Sequence, residues 1–175
     1  MCHEIEAKLK VDSLETVEQK LKAQGAVFEG HLKQTDIYFD HENLQLINSD
    51  VCLRIRKQTS DSEEKIFLTY KGPKEKENYK KRREIELRIS DAESAEKLLT
   101  ALGYEKEIIV EKERHQWRLG GCEVLLDNVK QLGTFVEIEG PDGKDIEAIQ
   151  NRLELDCLPH IQESYAHLIT EKLIR

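Results

Sequence analysis

The chain has 175 residues, 38% of them hydrophobic and 35% charged, which is enough for one globular domain (1–175) with a proper core. A formal net charge of −8 argues against a general nucleic-acid or anionic-membrane binder, whose affinity rests on excess Lys and Arg, though not against a local basic pocket. No run is apolar enough to span a membrane, charged residues begin almost at the N-terminus where a signal peptide would lie, and Cys2, Cys52, Cys122 and Cys157 show no C-x-x-C spacing. The expectation is a reduced, cytoplasmic protein with free thiols.

The opening stretch 3–11 alternates strictly. Ile5, Ala7, Leu9 and Val11 share one parity, and Glu4, Glu6, Lys8 and Lys10 share the other, so a strand here has one apolar and one fully charged face. Asp12 and Glu15 are spaced as a capping box before a helix whose stripe is Leu14, Val17 and Leu21 and whose stop is Gly25. Residues 33–39 read as a strand and 40–50 as a polar loop. Strands follow at 51–56, where Leu53 and Ile55 oppose Arg54 and Arg56, and at 65–71, closed by Gly72-Pro73. Residues 74–81 form a charged loop without apolar period.

The opening pattern then returns. Arg82, Glu84, Glu86 and Arg88 oppose Ile85, Leu87 and Ile89, and a second capping box (Ser90 to Glu93) leads a helix bearing Ala95, Leu98, Leu99 and Leu102, stopped by Gly103. The two copies lie about 79 residues apart, which indicates an internal pseudo-two-fold. Strands are expected at 107–117, at 122–129 after the Gly120-Gly121 turn, and at 134–139, where Glu137 and Glu139 oppose Val136 and Ile138. Helices around 145–155 and 164–174 finish the chain, the last with Tyr165, Leu168, Ile169 and Leu173 inward.

Taken singly, each strand satisfies a simpler account in which aliphatic residues meet the core and charges meet water. Together the charged faces are harder to explain that way. They hold Glu4, Glu6, Lys8, Arg54, Arg56, Lys71, Arg82, Glu84, Glu86, Lys112, Arg114, Asp127, Glu137 and Glu139, with few neutral polar residues and same-sign pairs two positions apart. Paired carboxylates can be bridged by a hard divalent cation, and paired Arg and Lys by phosphate oxygens. Both clusters in one place suit a metal-chelated polyphosphate. The sheet must then curl so that its charged face lines a cavity and helices cover the apolar outside, inverting the usual barrel.

Competing motifs are missing. There is no P-loop, no strand-linked G-x-G-x-x-G, no H-E-x-x-H among the six histidines and no G-x-S-x-G elbow. Trp117, Tyr38 and Phe39 are expected to pack rather than stack on a base.

The residues Glu4-Ile5-Glu6-Ala7-Lys8 match the E-x-E-x-K signature of the CYTH superfamily, the triphosphate tunnel metalloenzymes. Leu53-Arg54-Ile55-Arg56, Tyr70-Lys71-Gly72-Pro73, Arg82-x-Glu84-x-Glu86, Lys112-x-Arg114, Leu126-Asp127 and Phe135-x-Glu137-x-Glu139 follow in order, so the resemblance spans nearly the whole chain. It implies an α+β fold, an eight-stranded antiparallel closed β-barrel tunnel with helices outside. Residues 34–39, Leu132-Gly133-x-Phe135-x-Glu137 and Ser164-Tyr165-x-x-Leu168 resemble the class IV adenylyl cyclase branch. The implied chemistry uses Mg²⁺ or Mn²⁺. Glu4, Glu6, Glu84, Glu86, Asp127, Glu137 and Glu139 would serve the metal, and Lys8, Arg54, Arg56, Lys71, Arg82, Lys112 and Arg114 the phosphates, with Glu4, Glu6, Lys8 and Glu137 catalytic. One metal would orient the triphosphate and a second would activate the nucleophile. Attack by a ribose 3′-hydroxyl on the α-phosphorus of ATP gives cyclic AMP and pyrophosphate. Attack by water on the terminal phosphorus makes a triphosphatase of inorganic tripolyphosphate or thiamine triphosphate. A non-catalytic triphosphate sensor keeps the same clamp without turnover. The expected partner is a triphosphate small molecule, with neither nucleic acid nor membrane, and the cyclase branch implies a homodimer.

Overall fold

Strict alternation of charged and aliphatic residues produces eight antiparallel strands that close on one another in the order β1-β5-β4-β3-β2-β6-β7-β8. They are β1 (Cys2–Lys10), β2 (Val27–Asp40), β3 (Cys52–Thr59), β4 (Glu64–Lys71), β5 (Lys80–Ile89), β6 (Glu105–Leu119), β7 (Cys122–Val129) and β8 (Gly133–Glu139). The computed structural model describes residues 2–43, 46, 49–74 and 80–174, the side chains of residues 2–4, 80, 81 and 174 excepted. Most of the loop expected at 74–81 lies outside the described residues, and β5 begins at Lys80, two residues before the expected strand.

Closure is made by β1, which pairs with β5 on one side and β8 on the other. The internal repeat survives in the topology. Exchanging β1–β4 with β5–β8 reproduces the same cyclic order, and four pairs join the halves: β1/β5, β4/β5, β2/β6 and β1/β8.

Four helices are described, α1 (Leu14–Ala23), α2 (Ala92–Ala101), α3 (Gly143–Arg152) and α4 (Tyr165–Ile174). The expected Asp12–Glu15 box is one residue early. Ser13 has the extended backbone of an N-cap and accepts from the Thr16 amide at 3.2 Å. In α2 the cap is Asp91, which accepts from the Glu93 and Ser94 amides. Gly25 and Gly103 both take positive φ (73° and 88°) and end their helices alike: Gly25 donates to Lys22 O and Ala26 to Leu21 O, Gly103 to Thr100 O and Tyr104 to Leu99 O.

The apolar residues lie outside the barrel, beneath the helices. Ala7, Leu9, Val124, Leu126, Val136 and Ile138 form the main core with Val17 and Leu21 of α1 and Ile146 and Ile149 of α3. Each such aliphatic chain taken from water contributes roughly 1.5–3 kcal/mol. Smaller clusters seat α2 on Ile37, Phe39 and Ile55, and α4 on Val110, Val129 and Phe135. Helix spacing overstated two stripes. Leu98, Leu102 and Leu173 are 60%, 61% and 74% exposed, because α2 and α4 each meet the barrel along a narrow seam: Ala92 and Leu99 with Ala95 beside them, and Tyr165, Ala166 and Ile169 with Leu168 beside them.

Candidate functional site

With the aliphatic parity of β1, β3 and β8 facing out, their charged parity points into the barrel, where Lys71 of β4, Arg82 of β5, and Lys112 and Arg114 of β6 join it. The interior is a cavity of about 230 Å³ whose walls include Glu6, Lys8, Arg54, Arg56, Lys71, Arg82, Lys112, Arg114 and Glu137. Most of these side chains are buried: Glu6, Lys8, Arg54, Arg82, Lys112, Arg114 and Glu137 are each less than a tenth exposed. Charge is therefore concentrated where water is scarce and Coulomb interactions are strong.

The cations are held in two similar groups. In the first, Arg56 Nε and Nη2 donate to the two oxygens of Asp36 at 2.6 and 2.7 Å, and Arg54 Nη1 donates to Asp36 at 3.2 Å. In the second, Arg114 Nε and Nη2 donate to Asp127, both at 2.6 Å, and Lys112 Nζ and the Tyr165 hydroxyl donate to the same carboxylate at 2.8 and 3.0 Å. Burial alone would raise the pKa of both aspartates. The neighbouring Arg56 and Arg54, and Arg114 and Lys112, overcome it and hold both carboxyls below their usual range. The same pairing raises the pKa of Arg54 and Arg114 despite burial, so both stay charged.

Two guanidinium donors are left over, one in the Asp36 group and one on Arg82. Arg54 Nε and Arg82 Nε are buried and meet no acceptor among the described residues. A buried guanidinium N–H without a partner costs free energy that an anionic oxygen can recover. Lys8 Nζ donates to Glu163 O at 3.0 Å, lies 3.3 Å from Glu137 and sits 4.2 Å over the Tyr165 ring; Lys112 Nζ lies 4.9 Å over that ring. Lys71 pairs with Glu84 at 3.1 Å, Arg82 with Asp50 at 3.3 Å, and Glu86 accepts from the Thr69 hydroxyl at 3.1 Å.

The carboxylates converge elsewhere. One oxygen from each of Glu6, Glu137 and Glu139 lies within 4.8 Å of the other two. The ladder explains it, since Glu6 stands opposite Glu139 and Lys8 opposite Glu137 across β1/β8. Oxygens on one hard divalent cation sit about 2.0–2.6 Å from it, so roughly 4–5 Å at most separates any two, and this trio fits such an ion. Glu137 also accepts from Arg114, which ties the trio to the cation wall.

Of the residues expected in the site, Lys8, Arg54, Arg56, Lys71, Arg82, Glu84, Glu86, Lys112, Arg114 and the trio all line one cavity. The side chain of Glu4 lies outside the described residues; its backbone pairs with Arg82 in β1/β5. Asp127, expected among the metal ligands, is fully buried and engaged by Lys112, Arg114 and Tyr165. Sequence reasoning missed Asp36 and Tyr165 as members of this constellation. The available signal for Asp36 was parity, since Gln34, Asp36 and Tyr38 share a face of β2.

Comparison with known proteins agrees with this architecture. The CYTH domain description matches residues 2–157. A Methanocaldococcus jannaschii protein, MJ0240, provisionally named an adenylate cyclase, is 35% identical over 136 residues, 78% of this chain and 75% of its own. The structure of the PH1819 protein from Pyrococcus horikoshii superposes with a TM-score of 0.84 at 31% identity, covering 97% of this chain and 99% of that one. The Hippeastrum protein HpAC1, provisionally named an adenylyl cyclase and described as having a dominant triphosphatase activity, shares the fold: its TM-score is 0.71 at 16% identity, over 98% of this chain and 96% of that one.

Proposed function

The chain belongs to the CYTH domain family, and from that premise we propose that it is a divalent-metal-dependent enzyme acting on triphosphates, of the adenylyl cyclase kind, which converts ATP to cyclic AMP and pyrophosphate. The observation that carries this reading is the pairing, within one buried cavity, of the Glu6–Glu137–Glu139 oxygens with guanidinium donors on Arg54 and Arg82 that meet no acceptor among the described residues. A triphosphate supplies the oxygens such donors lack, and its charge matches the cation wall. The name of the M. jannaschii relative supports the cyclase form.

In this reading Arg54, Arg56, Lys71, Arg82, Lys112, Arg114 and Lys8 grip phosphate oxygens and stabilise the charge that grows on them as the phosphorus is attacked. Asp36 and Asp127 are orienting carboxylates that aim the arginine forks. Glu6, Glu137 and Glu139 would hold Mg²⁺ or Mn²⁺, with Glu4 two residues before Glu6 in sequence and Glu84 and Glu86 as further acidic groups. When bound, the cation supplies charge neutralisation and alignment of the phosphate chain. The cyclase reaction forms a bond from the ribose 3′-oxygen to the α-phosphorus, breaks the α–β bridge, and releases pyrophosphate and the hydroxyl proton.

A second reading rests on what the walls address. The donors left over on Arg54 and Arg82 suit phosphate oxygens and distinguish no organic group, so water attacking the terminal phosphorus of the same bound chain would make the protein a triphosphatase. A cytoplasmic setting and a homodimer belong to the proposal in either form. A panel of ATP, thiamine triphosphate and inorganic tripolyphosphate with Mg²⁺ or Mn²⁺, with products identified by mass, decides between them. Cyclic AMP with pyrophosphate supports the cyclase, and orthophosphate with the diphosphate supports the hydrolase. Tight binding without turnover of any of the three would sink both and leave a sensor.

A further inference from the structure

The pseudo-two-fold leaves one side of the barrel short of a helix. β8 and its neighbours β1 and β7 lie under two helices, α1 and α3, whose Val17, Leu21, Ile146 and Ile149 close the main core. The exchange that maps β8 onto β4 maps β1 onto β5, and α2 then stands where α1 does. Among the described residues nothing stands where α3 does. Lys71 ends β4 and Lys80 begins β5, and the eight positions between them (72–79) are fewer than the 10 residues of α3 alone. α2 reaches Ile66, Leu68 and Ile89 but leaves the rest of the outer β4/β5 face open. There Tyr70 stands opposite Ile85, and Leu68 opposite Leu87. Tyr70, Ile85 and Leu87 are 38%, 42% and 55% exposed. The exposed leucines of α2 border the same strip. Glu96 pairs with Lys106 at the start of β6 at 2.6 Å. Leu98 and Leu102 lie roughly 200° and 240° round the helix from Glu96, on the flank turned away from β6 and toward β4.

We infer that this face, the outer side of β4 and β5 with the bordering flank of α2, binds a second copy of the chain about a two-fold axis. The inference rests on the homodimer named above for the number of copies and adds the surface that joins them. Charge at the ends of the strip selects the occupant. Arg83 lies at one end and Glu64 and Asp91 at the other, all three exposed. The Leu68–Leu87 pair sits midway, four positions from Arg83 and four from Glu64 and Asp91. A two-fold axis through that pair sets Leu87 on Leu87 and each copy's Arg83 over the acidic end of the other. One operation therefore matches the apolar centre and both rims, as a closed dimer requires. The strip is roughly 26 Å long at about 3.3 Å per residue, and roughly 20 Å wide with the flank of α2 included. That footprint, on the order of 500 Å² before side-chain relief is counted, approaches the about 800 Å² of accessible surface that each partner gives to a stable interface.

The test is sedimentation equilibrium of the full chain and three variants, each checked for folding by its thermal melt. The wild-type protein is expected to be a dimer at micromolar concentration. Leu87→Glu places two carboxylates on the axis and should raise the dissociation constant at least about a hundredfold, because symmetry counts a loss of about tenfold twice. Arg83→Glu and Glu64→Arg should each weaken the dimer about tenfold. An equimolar mixture of those two variants should recover wild-type association as a heterodimer, since both rims again pair opposite signs. A merely structural role for either residue would not be repaired by mixing, and these exposed positions decide the matter even where Leu87→Glu melts early. A wild-type monomer at every concentration overturns the homodimer and the face together. A dimer indifferent to all three substitutions overturns the face alone, and a mixture that does not recover overturns the two-fold arrangement. Since no residue named in the strip lines the tunnel, tripolyphosphate binding with Mg²⁺ is read separately, and its failure touches only the triphosphate reading.

Discussion

Asp36 and Arg56 face each other across β2 and β3, and the two oxygens of Asp36 accept two near-parallel bonds from Arg56 Nε and Nη2 at 2.6 and 2.7 Å. The carboxylate also accepts from Arg54, so one buried acid sets two of the tunnel's arginines. Asp36→Asn keeps the shape and removes the charge. Leaving two buried cations short of an acceptor should cost about 3–5 kcal/mol. In a domain of this size that lowers Tm by roughly 6–20 °C, at about 2–4 °C per kcal/mol. The sign with pH follows from the lowered pKa: Asp36 stabilises the fold above the ordinary aspartate value of 3.8 and loses that contribution as pH falls through its own lower value. Melting curves at pH 7 and pH 3 check both points. A wild-type advantage over the Asn variant that failed to shrink at pH 3 would contradict the assignment.

Glu139 is the least buried member of the carboxylate trio and makes the cleanest probe of the cation site. Glu139→Gln preserves size but offers a neutral oxygen in place of a charged one. Half-saturation by Mn²⁺ should rise on the order of 10–100-fold, the range seen when groups supporting a metal are altered, while melting in metal-free buffer stays close to wild type. An unchanged Mn²⁺ titration would remove Glu139 from the site.

How much of this was legible in the sequence differs between the two acids of the cation wall. Asp127 stood out because Leu125 and Val129 share its parity on β7 between strands already recognised as charged. Asp36 did not, because β2 has no clean aliphatic stripe: Ile37 and Phe39 alternate with Thr35 and Lys33 on one parity, while Gln34 and Tyr38 accompany Asp36 on the other. Its role depends on the β2/β3 register that puts Asp36 opposite Arg56, and nothing local to either strand states that register. The closed barrel was legible for a physical reason. The same-sign pairs on β1, β3, β5, β6 and β8 are tolerable only if those faces converge on counter-ions, and closure is what makes them converge. The exposed Leu98, Leu102 and Leu173 were misread because a 3.6-residue period gives the apolar stripe of a helix but not the width of the seam it meets.

Gly140, just after β8, tests packing away from the tunnel. A Cβ there would lie 2.8 Å from Cys122 Sγ and 3.0 Å from Ile146 Cγ1, closer than buried atoms can approach without moving α3 or β7. Gly140→Ala should therefore cost about 1–3 kcal/mol, the usual range for overpacking. Because neither neighbour lines the tunnel, tripolyphosphate affinity of the folded fraction should stay within about twofold of wild type. Thermal melts and calorimetry at low temperature separate the two effects. A large loss of affinity in protein shown to be folded would mean that strain at α3 reaches the site.

Lys112 gives the sharpest pH prediction. Its ammonium donates to Asp127 at 2.8 Å, and burial, followed by repulsion from Arg114, lowers its pKa from 10.5 to about 8 against the attraction of Asp127 and Glu137. A polyanion binds the ammonium better than the neutral amine, and the terminal phosphate is already ionised above pH about 7. Tripolyphosphate affinity should thus be flat from pH 7 to just below 8 and then fall by up to about tenfold per unit as the proton leaves. Stability runs the other way. Unfolded lysine keeps its proton to about 10.5, so between about 8 and 10.5 the unfolded chain binds more protons, and this residue alone makes unfolding harder as pH rises. Lys112→Arg replaces a titrating group with one that stays charged, which should abolish the fall in affinity over pH 8–9 while binding at pH 7 changes little. Binding isotherms for both proteins at half-unit steps from pH 7 to 9 make the comparison. Parallel profiles for the two would show that some other group carries the proton, and that Lys112 is charged throughout.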